Sequence, residues 1–204
     1  MSEVSRERLT AEARRSRILD AATEVFGRVG FEATRMEDVA KAAGIAKGLL
    51  YKHFRSKDAM FEALVEMAGQ AFSAQLRTAL TDADVVGRPR DALRAGLSLW
   101  LRNLGDEKGQ GAFSFSDPGV HDAYDGLRDA LRAVIAEAML AAEPRLEVDW
   151  ARLGAALVQG AAENLGLVWR ACPGNITQDD ALDLLVEFCW GGIQRLRAAL
   201  PAVP

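Results

Sequence analysis

The stretch GFEATRMEDVAKAAGIAKGLLYKHFRSK, Gly30 to Lys57, contains two short helical patterns joined at Gly44. On the first, Met36, Val39, Ala40 and Ala43 recur at three- and four-residue spacing and define an inner face. On the second, Ile45, Leu50 and Phe54 do the same. At about 100° per residue, the opposite face of that second segment carries Gly48, Leu49 and Lys52, flanked by Lys47 and Tyr51. A short helix with one buried face and one basic, aromatic face has the size and chemistry to enter the major groove of B-DNA. There lysine donates to guanine or phosphate, tyrosine donates to phosphate, and a leucine can meet a thymine methyl. Gly48 would let the backbone approach closely.

Working outward, the chain upstream reads as one helix over about 10–28, with Ile18, Leu19, Ala22, Val25 and Phe26 on one face and Gly30 as its stop. Thr34 followed by Glu37 has the form of a capping box for the helix to about 43. A further helix covers about 46–53, and Ser56 starts a long one with Asp58 in its first turn. Downstream, Pro89 opens a helix to about Asn103 whose apolar face holds Leu93, Leu97, Trp100 and Leu101. Residues 105–119 read as a loop with a short helical piece around Phe113. Three long helices follow at about 118–142, 149–171 and 177–199, separated by Pro144 and Pro173, the last announced by Thr177 with Asp180. No alternating strand pattern occurs, so the expected fold class is all-α.

Composition narrows the function. The 204 residues are half hydrophobic, enough for a proper core. No run approaches the roughly 18 apolar residues of a membrane helix, and the charged N-terminus lacks the apolar centre of a secretion signal, so a cytoplasmic protein is expected. Cys172 and Cys189 have no metal-ligand spacing and there are only two histidines. They are expected as reduced, buried thiols, with no cofactor and no metal. The net charge of −4 is uneven: residues 1–57 hold twelve bases against eight acids, and the remainder thirteen bases against 21 acids. A head at +4 on a body at −8 suits a protein that touches phosphates at one end. His53 as a catalytic base would need a nucleophile or an orienting carboxylate, and no such constellation can be assembled, so no catalytic residue and no enzyme activity are expected.

The Gly30–Lys57 stretch resembles the DNA-binding motif of the tetracycline-repressor (TetR) family. The family pattern is met by Gly30–Phe31, Thr34, Met36, Val39–Ala40, Ala43–Gly44–Ile45, Lys47–Gly48, Tyr51, His53–Phe54 and Ser56–Lys57. The resemblance covers about a quarter of the chain. It implies about nine helices, with residues 1–57 as a DNA-binding domain and 58–204 as a ligand-binding and dimerisation domain. By analogy Thr34, Tyr51, His53 and Lys57 would hold phosphates, with Lys47, Gly48, Leu49 and Lys52 near base edges. Two positions depart from the pattern, where a hydroxyl residue is usual. Arg35 would add a charged phosphate contact, and Ala46 leaves the recognition helix without its usual cap, a cost of about 1 kcal/mol.

The remaining expectations concern the C-terminal body. Trp100, Phe113, His121, Tyr124, Asn164 and Trp169 are candidates to line an effector pocket, being aromatic or polar on otherwise apolar helices. Leu182, Leu185, Val186, Cys189, Ile193 and Leu196 form a stripe on the last helix, joined by Leu153 and Leu157 on the one before, and are the candidate homodimer interface. Glycines 154, 160 and 166 suggest close helix approach. The function expected is a repressor that binds palindromic operator DNA as a homodimer and is released by a small hydrophobic or amphipathic effector. The alternative is a helical dimer that sequesters a hydrophobic ligand without specific DNA binding.

Overall fold

A computed structural model describes residues 10–82, 84, 87–105, 121–171 and 174–199. The regular structure among them is entirely helical: α1 (Ala11–Ala33), α2 (Met36–Ala42), α3 (Lys47–His53), α4 (Lys57–Thr81), α5 (Pro89–Gly105), α6 (His121–Ala142), α7 (Val148–Ala171) and α8 (Gln178–Ala199). These eight stand against about nine expected. The helical piece anticipated around Phe113 lies outside the described residues, as does Cys172.

Helix boundaries follow from capping chemistry. The Thr10 side chain accepts from the Ala13 amide at 3.2 Å and starts α1. Gly30 is not a clean stop: at φ 79° it breaks α1, and one further turn carries Phe31 to Ala33. The break leaves the Gly30 carbonyl open, and the Thr34 hydroxyl donates to it at 2.7 Å. Thr34 is 3% exposed, so its hydroxyl needs an internal partner. The Thr34–Glu37 capping box therefore does not form. Arg35 occupies the N-cap of α2 with no side-chain bond, and Glu37 pairs instead with Lys47.

Between α2 and α3 the Ile45 amide donates to the Ala40 carbonyl at 3.0 Å and the Gly44 amide to the Lys41 carbonyl at 3.2 Å. With Gly44 at φ 66° this is a Schellman turn, which only glycine enters without strain. Ser56 caps α4 through the Ala59 amide at 3.0 Å, and Pro89 is the first residue of α5. At α8 the Thr177 hydroxyl accepts from the Asp180 amide while Asp180 accepts from the Thr177 amide, the reciprocal box expected from the sequence.

The chain divides into two compact units within α4, after Ala68. The first is built on α1, α2, α3 and the start of α4, which share one core: Ile18, Leu19, Ala22 and Val25 from α1, Met36, Val39 and Ala40 from α2, Leu50 from α3, Met60 and Leu64 from α4. Phe26, Phe31 and Phe61 stack edge and face at its margin, with centroids 5.0–5.8 Å apart.

In the second unit α5 packs on α7 and α8, and α7 on α8. Leu76, Leu131 and Val134 with Phe72 and Trp100 form one cluster, and Ala136, Leu146, Ala151 and Ala155 with Met139 another. Gly154 is where α6 and α7 approach closely, since a Cβ there would come within 2.6 Å of the Met139 methyl. That close approach is intramolecular, and Gly160 meets nothing within 4 Å. Arg90–Glu187 and Arg94–Asp183 ion pairs stitch α5 to α8 at the surface.

Candidate nucleic-acid interface

Helix α3 is held by its inner face. Leu50 is completely buried, Phe54 nearly so, and Ile45 packs against the same cluster. Replacing a fully buried leucine by alanine costs about 2–5 kcal/mol, so this one side chain fixes the helix's position. Its last turn is held from α1: the Arg15 guanidinium lies 4.4 Å over the Phe54 ring and donates to the His53 carbonyl at 3.5 Å. A cation there also complements the helix dipole. His53 itself is half-buried.

The outer face is open. Lys47, Gly48, Tyr51 and Lys52 are exposed, Tyr51 at 44%, and Leu49 is half-exposed. A Cβ built on Gly48 would meet nothing within 4 Å, so packing inside the protein does not require glycine there. Ala46 supplies no side-chain cap, leaving the first amides of α3 without one. Lys47 pairs with Glu37 on α2 and lies 5.9 Å from the Tyr51 ring centroid. The hydrogen bond and attraction from Lys47 lower the Glu37 carboxyl below its ordinary range, and Glu37 raises Lys47 in turn. Both side chains are more than half exposed. Such pairs are weak, so Lys47 can exchange the carboxylate for a phosphate or a base.

Two expected phosphate contacts are committed within the protein. Thr34 is buried on the Gly30 carbonyl, as described above. The Lys57 ammonium donates to the carbonyls of Phe31 at 2.7 Å and Glu32 at 3.2 Å, and stands 4.2 Å over the Phe31 ring. It closes the C-terminal end of α1. Arg35 is exposed at the N-cap of α2.

In the second unit the candidate pocket residues are scattered. Trp100 lines a small cavity of about 50 Å³, together with Phe72, Leu97 and Gln159. Tyr124 is buried but lines neither this cavity nor the larger one. Asn164 is exposed and donates to the Gly160 carbonyl one turn back on its own helix. Trp169 donates its indole N–H to the Ile176 carbonyl at 3.0 Å and so ties the end of α7 to the segment before α8. Phe113 and the side chain of His121 fall outside the described residues.

The larger cavity, about 570 Å³, lies between α4, α5, α6, α7 and α8, and its walls include Leu93, Ile135, Met139, Glu143, Trp190 and Arg197. None of these six was among the pocket candidates. Their signal was weak: aliphatic positions look alike in sequence, and Glu143 and Arg197 are far apart along the chain.

The expected dimer stripe also needs correction. Leu182, Leu185, Val186 and Cys189 are buried inside the protomer, with burial pushing the Cys189 thiol up to about 11. Ile193 and Leu196 wall the large cavity. α8 has two apolar faces, and the sequence stripe followed the one that α5 and α7 cover. The face left open carries Leu184 and Phe188, and on α7 Leu153 and Leu157, the other two candidate interface residues, are exposed.

Comparison with known proteins agrees with this geometry. The family model described as Bacterial regulatory proteins, tetR family, matches residues 18–64. The HTH-type transcriptional activator FasR of Mycolicibacterium smegmatis is 27% identical over 199 residues, covering 93% of this chain and 87% of FasR. The regulator UidR of Escherichia coli is 42% identical over 55 residues, 27% of this chain and 28% of UidR. The crystal structure of a TetR-like transcriptional regulator from Rhodococcus sp. RHA1 superposes with a TM-score of 0.63 at 29% identity, covering 92% of this chain and 99% of that one. The matched residues contain α2, α3 and their core, and the likeness of fold extends along nearly the whole chain. Residues 18–64 are thus similar to the DNA-binding segment of the tetR family of bacterial regulatory proteins, and nearly the whole chain is similar in fold to a TetR-like transcriptional regulator.

Proposed function

We propose that the protein is a ligand-responsive repressor that binds a palindromic operator as a homodimer and leaves it when a small effector enters the second unit. The observation that carries this reading is the two-sidedness of α3: Leu50 is fully buried while Lys47, Gly48, Tyr51 and Lys52 stand open on the other side. That face contacts DNA, with Lys47, Gly48, Leu49 and Lys52 toward base edges and Tyr51, His53 and Arg35 toward phosphates. Thr34 and Lys57 act from behind, as framework.

The open apolar faces of α7 and α8 favour a second copy as the dimer partner. Leu157 and Phe188 are 76% and 72% exposed, beside Leu153 and Leu184, on two helices that pack together. Exposed leucine and phenylalanine grouped in this way mark an interface. A two-fold dimer presents its recognition helices to successive major grooves, roughly 34–36 Å apart. The 570 Å³ cavity falls within the usual size of small-molecule sites. An effector that binds it better in one spacing of the helices shifts the population to that spacing.

The test is a fluorescence-anisotropy titration against DNA from the protein's own promoter region at two salt concentrations, with Tyr51→Ala and Lys47→Ala alongside. A saturable complex in the range of about 10⁻⁸–10⁻¹¹ M, weakened by salt and by both substitutions, supports the regulator. Equal affinity for promoter and random DNA, followed by no enrichment in a genome-wide selection of bound fragments, favours the ligand-sequestering dimer instead. FasR is named an activator, so a promoter-reporter assay with and without the protein fixes the sign of the response.

A further inference from the structure

The large cavity is apolar except at one end. There the Glu143 carboxylate, buried at the close of α6, accepts from Arg145 at 2.8 and 3.1 Å and from Arg197 Nε at 3.0 Å. Glu143 and Arg197 both wall the cavity, whereas Arg145 does not. One carboxylate between two guanidinium groups leaves a positive excess, and Arg197 holds that excess at the cavity wall. Its Nε is engaged by Glu143, while its Nη atoms have no hydrogen bond or ion pair among the described residues. Four aliphatic residues, Leu80, Leu93, Ile135 and Val158, also wall the small cavity beside Trp100, so apolar lining continues beyond the large one.

We propose that this cavity takes an amphipathic anion: a carboxylate held by the Nη atoms of Arg197, with an apolar chain lying along Leu93, Ile135 and Met139 toward Trp100. The inference rests on the reading above that the cavity is the effector site, and it names the chemical class. A cationic ligand is disfavoured because Glu143, the only carboxylate among the described residues of the wall, already accepts three N–H bonds from two arginines. A purely apolar ligand would cover the Nη atoms of Arg197 without giving them a partner. A carboxylate matches the planar fork of a guanidinium and forms charge-assisted bonds. The acidic charge of the body acts over distances that salt screens, whereas Arg197 acts at contact.

Trp190 and Trp100, in the walls of the two cavities, make intrinsic fluorescence a readout that needs no DNA. The full-length protein is titrated with dodecanoate, dodecanol and dodecylamine below their aggregation limits, as wild type, Arg197→Gln and Ala138→Phe. Dodecanoate is expected to bind about tenfold or more tighter than dodecanol, the margin of one charge-assisted hydrogen bond. Arg197→Gln should remove that margin while leaving dodecanol affinity unchanged. Ala138 also walls the large cavity, so Ala138→Phe, which fills it, should weaken both, and a melting curve for each variant checks that it is folded. The class assignment is overturned if the three probes bind alike, if the amine binds best, or if folded Arg197→Gln keeps the preference. Binding of dodecanoate with this dependence but without effect on the promoter complex would sustain the anion site and refute its role as effector site. Promoter binding released by a cell extract while dodecanoate fails to bind would do the reverse.

Discussion

The Lys57 ammonium at the start of α4 lies 2.7 Å from the Phe31 carbonyl at the end of α1 and 4.2 Å above the Phe31 ring. One side chain thus closes the three-helix unit by capping a broken helix end and by a cation–π contact. Lys57→Met should lower the stability of this unit by about 1.5–3 kcal/mol, the range for a hydrogen bond to a charged group. Once binding is corrected for folding, the slope of operator affinity against salt should be unchanged. Urea unfolding together with a salt titration measures both, and a slope shallower by about one unit would instead make Lys57 a phosphate contact.

Glu37 holds Lys47 at the edge of the proposed DNA surface. Glu37→Gln removes a negative charge facing phosphates and frees the lysine, so operator binding should tighten and its salt slope should steepen, by about one counterion. Anisotropy at several salt concentrations reads the slope directly. Stability should change little, since both side chains are more than half exposed and such pairs are weak.

The open faces of α7 and α8 give a separate prediction. Leu157→Glu combined with Phe188→Glu should convert the protein to a folded monomer in sedimentation, because both side chains are mostly exposed within one protomer. Operator affinity should fall with it, as one half-site is lost. Leu185→Glu would behave differently: this side chain is buried, and the substitution should unfold the second unit rather than divide a dimer.

Arg145 first, and Arg197 after it, hold the Glu143 carboxyl well below its ordinary 4.5, at about 2, against the opposing effect of burial. A carboxyl lowered on folding contributes stability that is fully present above its unfolded value. That stability is lost as pH falls from about 4.5 toward about 2. Acid unfolding followed by far-UV circular dichroism should therefore show a component in this window. Glu143→Gln should lose stability at neutral pH and show a shallower decline through the window.

Much of this was legible from local chemistry. The Gly44 turn, the inner faces of α2 and α3, the missing cap at Ala46 and the Thr177–Asp180 box each depend on residues within a few positions of one another. Spacing and capping rules act at that range, so the helix-turn-helix and the all-helical class could be read directly. The Thr34–Glu37 box failed for a reason outside that range. Burial of Thr34 and the broken turn at Gly30 gave its hydroxyl a better acceptor, and Lys47 drew Glu37 away.

The sequence by itself determined the helix-turn-helix pattern, the basic open face of α3 and the family resemblance, because those reside in a contiguous stretch whose periodicity names its own inside and outside. Only the tertiary structure decided which apolar face of α8 is covered and which side chains wall a cavity. An apolar stripe says that a face will be buried without saying by what. Leu185 and Phe188 are equally hydrophobic on paper, and the packing of α5 and α7 buries one and leaves the other open. Glu143 and Arg197 meet across 54 positions for the same reason: a charge pair at the end of a cavity is created by the folding of helices onto one another.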